Sequence, residues 1–315
     1  METLFVVVCV ANPLRWQSRV ALARGAIASW LEEPNVHVTL AECAYGSRSY
    51  DLADLASARV AHVPLRATTV AWSKECLLNI AVARLPPAAE KIAILDADIV
   101  FRRAGWATEV LAALDLYPVV QPWDTAYDLG PHDEHIQTHK SFASVWHSGK
   151  PVTATRPAFW TFNGGYNTYP HPGYAWAWQR RVLDRIGGLL EVGAMGSGDY
   201  HMALGMVGNY KASVPASVSQ GYRNSIASWA MRATLEVNGK IGFVRRTIEH
   251  PFHGRKSDRG YQTRWRMFLE SGFEPSVDLK RNTYGVIEFS GTKPDLERAF
   301  DRYLRAREED VNTLT

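Results

Sequence analysis

The run Ile92-Ala93-Ile94-Leu95-Asp96-Ala97-Asp98-Ile99-Val100-Phe101 is apolar except for two carboxylates placed two residues apart. An isolated carboxylate in an apolar interior costs on the order of several kcal/mol, so charge in such a run calls for a chemical reason. Read as one buried strand, the run puts Asp96 and Asp98 on the same face, because strand side chains alternate with period two. The carboxyl end of a parallel strand is where ligands bind in open α/β sheets. Two hard oxygen donors there suit a divalent cation that also holds phosphate oxygens. The same aspartates would equally cap the turn after the strand.

A second constellation is His250-Pro251-Phe252-His253. Neutral imidazole is a common ligand for divalent metals, and two histidines three apart around a proline can converge on one ion. A pair of surface or capping histidines is the alternative. The glycine-punctuated, basic run from Gly254 to Arg264 follows, with Arg255, Lys256, Arg259 and Tyr261. Glycine lets backbone amides approach a phosphate and the cations neutralise it, unless the run is simply a solvated loop. The third candidate is Asp199, after the glycines of Met195-Gly196-Ser197-Gly198. A carboxylate at such a helix start serves either as a catalytic base or as a first-turn cap.

These residues need a frame. Leu4–Val10 is uninterrupted and β-branched, as in a central parallel strand. Helical spacing covers 14–31, followed by strands over 36–41, ending at Glu42, and 59–64. A helix over 69–83 stops at Leu85-Pro86-Pro87, before the 91–101 strand. A helix over 106–114 and a strand over 117–121 complete an alternation that argues for a mostly parallel sheet covered by helices. From 122 to 157 the chain reads as a long polar loop, then 159–162 as a strand entering Asn163-Gly164-Gly165. Gly173 to Ile186 reads as a helix closed by Gly187-Gly188, 199–204 as a short helix, 240–246 as a strand, and 294–308 as an amphipathic charged helix.

The bulk numbers are ordinary: 315 residues, 46% apolar, 21% charged and net charge +3. So mild a charge does not by itself imply nucleic acid. The three cysteines, Cys9, Cys43 and Cys76, are too scattered for a disulfide framework or a zinc site and read as buried thiols in a reducing cytoplasm. The start lacks a positive n-region, the run to Ala11 is too short to span a bilayer, and no other stretch is long and apolar enough.

In order along the chain the pieces resemble the nucleotide-sugar glycosyltransferases of the GT-A fold, above all the metal-dependent β-1,4-galactosyltransferase group. The residues carrying the likeness are Lys74 through Leu77-Leu78-Asn79, then Asp96 and Asp98, Phe162-Asn163-Gly164-Gly165, the turn at Ile186-Gly187-Gly188-Leu189, the loop Ala194 to Asp199, and His250 with His253. Asn12-Pro13-Leu14-Arg15-Trp16 through Arg19, and His253-Gly254 through Arg259, Tyr261 and Arg264, are also similar to segments of phage-encoded glycosyltransferases.

The resemblance implies a GT-A domain over 1–266, with a nucleotide-binding half to 120 and an acceptor and metal-completing half after it, and an irregular C-terminal extension over 267–315. It implies Asp98, His253 and His250 as ligands of Mn²⁺ or Mg²⁺, although the group has Met where His250 stands. Asp96 would support the metal or touch the ribose, Glu42 would bind base or ribose, and Lys74 and Arg255 would meet phosphates. Asp199 would deprotonate the acceptor hydroxyl in an inverting transfer from a nucleotide sugar, UDP-sugar favoured. Met195 and Gly198 replace the group's Trp and Glu, so acceptor identity does not carry over. The basic run from Arg245 to Arg266, interleaved with Tyr261 and Trp265, points to a 5-hydroxymethylpyrimidine in DNA as acceptor, with a glycan or lipopolysaccharide as the other candidate. A nucleotidyltransferase would want a glycine-rich phosphate loop where Asn12-Pro13-Leu14-Arg15 stands, and a non-catalytic sugar- or DNA-binding module would not need Asp98, His253 and Asp199 together.

Overall fold

The computed structural model describes residues 2–153, 167–260 and 264–314. The expected strand over 159–162, the Asn163-Gly164-Gly165 segment and Tyr261 lie outside the described residues. Seven strands form the main sheet, in the order β11(Ile241–Phe243), β6(Val119–Gln121), β10(Ala175–Gln179), β4(Lys91–Leu95), β1(Leu4–Ala11), β2(Val36–Tyr45), β3(Val60–Ala67). All run parallel except β10, which is antiparallel to β4 and β6. The α/β architecture with a mostly parallel sheet is therefore as the alternation of elements requires.

Alternate residues of the central strands feed two cores. Leu4, Val6 and Val8 of β1 join Ala93 and Leu95 of β4 on one face; Val7 joins Ile92 and Ile94 on the other. A strand buried on both faces must be apolar at every position, which is why these runs show no alternation. The first face is covered by α1(Gln17–Trp30) and α3(Trp106–Leu116), through Ile27, Trp30 and Val110. The second is covered by α2(Lys74–Ala83), α5(Arg180–Ile186), α6(Gly198–Met206) and α7(Gln220–Val237), with α4(Phe142–His147) at its edge. Each fully buried Leu or Val contributes about 1.5–3 kcal/mol. Asn79 ties α2 to the turn after α5: it accepts from Leu189 N (2.8 Å) and donates to Leu189 O (2.9 Å).

Four expectations are corrected. The 91–101 run is not one strand. β4 stops at Leu95, Asp96–Ile99 turns, and β5(Val100–Phe101) enters a second sheet of order β5-β12-β7-β8-β9. The polar stretch after 122 is not a loop but the hairpin β7(Thr125–Leu129) and β8(His135–Ser141), followed by α4. The segment read as a helix from Gly173 begins with β10, whose Trp176 and Trp178 enter one core while Ala175 and Ala177 enter the other. The second sheet is completed by β9(Asn167–His171) and β12(Thr247–His250). The 69–83 helix starts only at Lys74, leaving 69–73 outside it.

After α7 come α8(Arg264–Glu270), α9(Pro275–Asp278), the β13(Leu279–Arg281)–β14(Ile287–Phe289) ribbon and α10(Pro294–Arg305), whose Leu296, Phe300 and Leu304 join the second core. No described helix is long and apolar enough to cross a membrane. The tail then returns to α1. That helix has no side-chain cap of its own; Asp310 instead accepts from Gln17 N (3.0 Å) and Ser18 N (2.9 Å). We expect Asp310→Ala to cost about 1 kcal/mol of stability, as loss of an N-cap does, measured by urea denaturation.

Candidate active site

A cavity of about 680 Å³ opens where the central strands of the main sheet end, between that sheet and the second one. Asp96, Asp98, Asp199, Lys74, His250 and His253 all line it. Because Asp96 and Asp98 lie in a turn rather than in a strand, they aim at different partners. Asp96 pairs with Lys74 at the start of α2. Asp98 Oδ2 lies 3.1 Å from His253 Nε2 and 3.6 Å from His250 Nε2, and the two Nε2 atoms are 3.1 Å apart.

Strand register brings this about. β12 pairs antiparallel with β5, setting Glu249 against Val100 and so His250 beside the Asp96–Ile99 turn. It pairs parallel with β7, setting His250 against Asp128. Asp128, which sequence reading passed over, is 1% exposed. Its Oδ1 faces His250 Nδ1 at 2.9 Å and accepts from Tyr174 OH at 2.7 Å; Oδ2 faces His139 Nε2 at 2.5 Å and pairs with Lys256. A carboxylate on the far nitrogen of a histidine fixes its tautomer, leaving the lone pair of His250 Nε2 for a cation.

The donor set fits a divalent cation. One ligand atom from each of Asp98, His250 and His253 lies within 4.8 Å of the others. Asp98 Oδ1 is buried with no hydrogen-bond partner among the described residues. Burial works against the Asp98 charge, but His250 and His253 hold its carboxyl well below the usual range. Burial, helped by Arg259, pushes the His253 imidazole down, although Asp98 and Glu309 oppose. Metal binding needs an ionised carboxylate and an unprotonated imidazole, the forms towards which Asp98 and His253 are shifted.

Asp199 stands in the first turn of α6, after Gly196 (φ 83°) and Ser197 (φ 72°). A positive φ at a serine is a strained backbone conformation, here two residues before Asp199. Asp199 Oδ1 accepts from the adjacent Tyr200 N (2.9 Å), and the carboxylate faces the cavity. Lys74 is held well above its usual range: burial opposes its charge, but Asp96, Glu75 and Asp199 outweigh it.

Two expected ligand-binding residues are not brought here. Glu42 lies inside β2, which runs on to Tyr45, and faces a separate pocket of about 100 Å³. Its carboxylate accepts from Asp51 N (2.5 Å) and Leu52 N (3.2 Å) and meets His62 Nε2 (2.8 Å), so it pins the loop after β2. Arg255 is outside the main cavity, paired with Asp258 (2.7 Å) and Glu308 (3.3 Å). Arg259, four residues on, is the one against His253 (2.9 Å). Gly254 is also not a phosphate cradle. It has φ 81°, and a Cβ there would lie 2.9 Å from Glu309 Cα and 3.1 Å from Arg307 O, so it makes room for the tail. Glu309, 1% exposed, is held by Arg19 (2.5 Å) and Arg307 (2.7 Å) and sits 3.8 Å from His253 Nδ1. The signal that could have found Asp128 is the charge inside the alternating Thr125–Leu129 strand; nothing local marks Glu309.

No protein-family model and no curated protein matches the sequence. In backbone course the chain is similar to S. aureus TarS in complex with UDP-GlcNAc (10% identity, TM-score 0.46, 79% of this chain and 58% of that one). It is also similar to the catalytic domain of Drosophila β1,4-galactosyltransferase 7 in complex with xylobiose (10%, 0.36, 68% and 63%). A third is the mannosyltransferase PcManGT from Pyrobaculum calidifontis in complex with GDP-Man and Mn²⁺ (15%, 0.36, 75% and 72%). The chain spans less than two thirds of the first two. Likeness at this level concerns the path of the backbone, and the chemistry is read from the site's own residues.

Asp128→Asn keeps the shape but not the charge that orients His250. We expect it to weaken Mn²⁺ binding about 10–100-fold, measured by calorimetric titration, and Asp98→Ala to abolish it.

Proposed function

We propose that this protein is a metal-dependent glycosyltransferase that moves a hexose from a nucleotide sugar, UDP-sugar favoured, to an acceptor hydroxyl with inversion at the anomeric carbon. The observation that carries the reading is the convergence of Asp98, His250 and His253 on one point of a cavity that also holds Asp199. A cavity of about 680 Å³ is of the size that takes a small-molecule cofactor or donor. Held by Asp98, His250 and His253, Mn²⁺ or Mg²⁺ would supply Lewis-acid neutralisation of the charge that develops on a leaving nucleoside diphosphate.

The chain's own groups do the rest. Asp96, fixed by Lys74, keeps an acceptor oxygen for ribose hydroxyls. Arg259 and Arg264 line the same wall and add positive potential beside the phosphates. Asp199 takes the proton from the acceptor hydroxyl as that oxygen attacks the anomeric carbon and the carbon–phosphate oxygen bond breaks. A single displacement with the base opposite the leaving group inverts the centre.

For the acceptor we favour a glycan or lipid-linked sugar over a 5-hydroxymethylpyrimidine in DNA. Much of the basic run proposed for a phosphate backbone is committed internally. Arg246 pairs with Glu109 (2.6 Å), Arg255 with Asp258, Lys256 with Asp128, and Arg266 with Glu270 (2.6 Å).

The test is donor turnover with a panel of nucleotide sugars and Mn²⁺, offering methyl glycosides, unmodified DNA and hydroxymethylated DNA side by side. We expect donor hydrolysis that a chelator stops and Asp98→Ala abolishes. Asp199→Asn should lower kcat about 10²–10⁴-fold. No turnover with any donor would overturn the transferase reading in favour of a binding module. Transfer to hydroxymethylated DNA alone would reverse the choice of acceptor, and a retained anomer by NMR would overturn inversion.

A further inference from the structure

The cavity contains a second carboxyl that the reaction above leaves unused. Glu75 follows Lys74 in the first turn of α2, is 4% exposed, and lines the same cavity as Asp199. Side chains buried to that degree have their polar atoms paired in the large majority of cases. Oε2 of Glu75 is buried with no hydrogen-bond partner among the described residues. A carboxyl kept there against the cost of burial needs a partner that arrives from outside the protein.

Its position is tied to Asp199 by a glycine. A Cβ at Gly198 would lie 2.5 Å from Glu75 Oε1 and 2.8 Å from its Cδ. The φ of Gly198 is not in the left-handed region, so the backbone there does not require glycine. The space does: Gly198 admits the Glu75 carboxyl next to the residue that precedes Asp199. The charged and titratable groups acting on Glu75 come from its own helix (Lys74), the turn after β4 (Asp96), α6 (Asp199) and β1 (Cys9). Burial pushes the Glu75 carboxyl up to about 7; Lys74 opposes, and Asp199 and Asp96 add to the rise.

We propose that Glu75 binds the acceptor, its carboxyl hydrogen-bonding a hydroxyl that neighbours the one Asp199 deprotonates. The inference rests on the transferase reading and sharpens it: the acceptor carries adjacent hydroxyls, as a sugar ring does. Nucleophile and anchor are then different oxygens of one ring. The Glu75 contact orients the attacking hydroxyl without itself taking part in bond making.

The experiment compares Glu75→Met, which deletes the polar group at similar length, with Glu75→Gln, which keeps a hydrogen-bonding head. The probes are methyl β-D-glucopyranoside and methyl β-D-galactopyranoside, with UDP-hexoses and Mn²⁺, and the readout is the ratio of transfer to donor hydrolysis. We expect Glu75→Met to lower that ratio about tenfold or more, and Glu75→Gln to restore most of it. Thermal melting gives an arm independent of activity. An acid whose pKa rises from 4.5 unfolded to about 7 folded contributes stability below 4.5 that is lost as pH rises through 7. Glu75→Met is therefore expected to melt higher than the parent at pH 8, with the gain shrinking towards pH 5. If Glu75→Met does not fold, Gly198→Ala, whose methyl displaces the carboxyl, is expected to lower the same ratio.

An unchanged ratio in Glu75→Met or in Gly198→Ala, or a lower melting point for Glu75→Met at pH 8, would overturn the role of Glu75 alone. So would donor hydrolysis by the parent protein with no transfer to either glycoside. Absence of any donor turnover in the parent protein would overturn the transferase reading, and the role of Glu75 with it.

Discussion

Register between β12 and its two neighbours is the constraint on which the site depends. β12 has four residues, yet its pairing with β5 sets His250 beside the turn that carries Asp98, and its pairing with β7 sets it against Asp128. A slip of one residue in a strand sends every side chain to the opposite face. Here it would turn His250 away from both carboxylates at once. His253 follows from His250 through Pro251, which restricts the path between the two histidines. The main sheet contributes the other half. β4 ends at Leu95, and Asp96 N donates to Tyr174 O (2.8 Å), so the turn holding Asp98 is anchored at the foot of the strand.

Around that point the protein spends buried charge in a graded way. Asp128 and Glu309 are each 1% exposed and each has several cationic or hydrogen-bonding partners. Breaking one such pair leaves a buried charge uncompensated, which typically costs about 3–5 kcal/mol, so these carboxylates are fixed in place. Asp98 and Glu75 are different: each keeps a buried oxygen without a partner among the described residues. The contrast separates groups that hold the site from groups that wait for something to enter it. The tail belongs to the first kind. Glu309 binds Arg19 and Arg307 beside His253, and the Arg307 guanidinium lies 5.5 Å from the centre of the Trp72 ring.

Much of the architecture is legible because its signals are local. The β1 and β4 runs are apolar at every position, and the helix breaks at Pro86-Pro87 and Gly187-Gly188 stand where the structure has them. The misreadings have local causes too. In Ala175-Trp176-Ala177-Trp178-Gln179 the period of two was visible, but alanine favours helix and the neighbouring Arg180–Ile186 is one. The hairpin after Trp123 was hidden because its strands alternate polar residues that pair with each other, His139 with Asp128 and Lys140 with Thr125, instead of pointing to water. Polarity there means a buried network, which composition reads as a loop.

The sequence by itself determined the alternation of strands and helices and marked Asp98, His250 and His253 as candidate metal ligands, because a carboxylate in an apolar run and two histidines around a proline are conspicuous in any fold. It marked Asp199 by the glycines that lead to it. Only the tertiary structure decided which cations and carboxylates serve those residues. Glu42 and Arg255 are turned to other partners, Asp128 and Glu309 come to the site from distant segments, and Glu75, next to Lys74, lines the cavity. The physical reason is that a charge in a sequence has no fixed meaning. Its role is set by what burial leaves within about 3 Å of it, and that distance is decided by strand register and by where the chain returns.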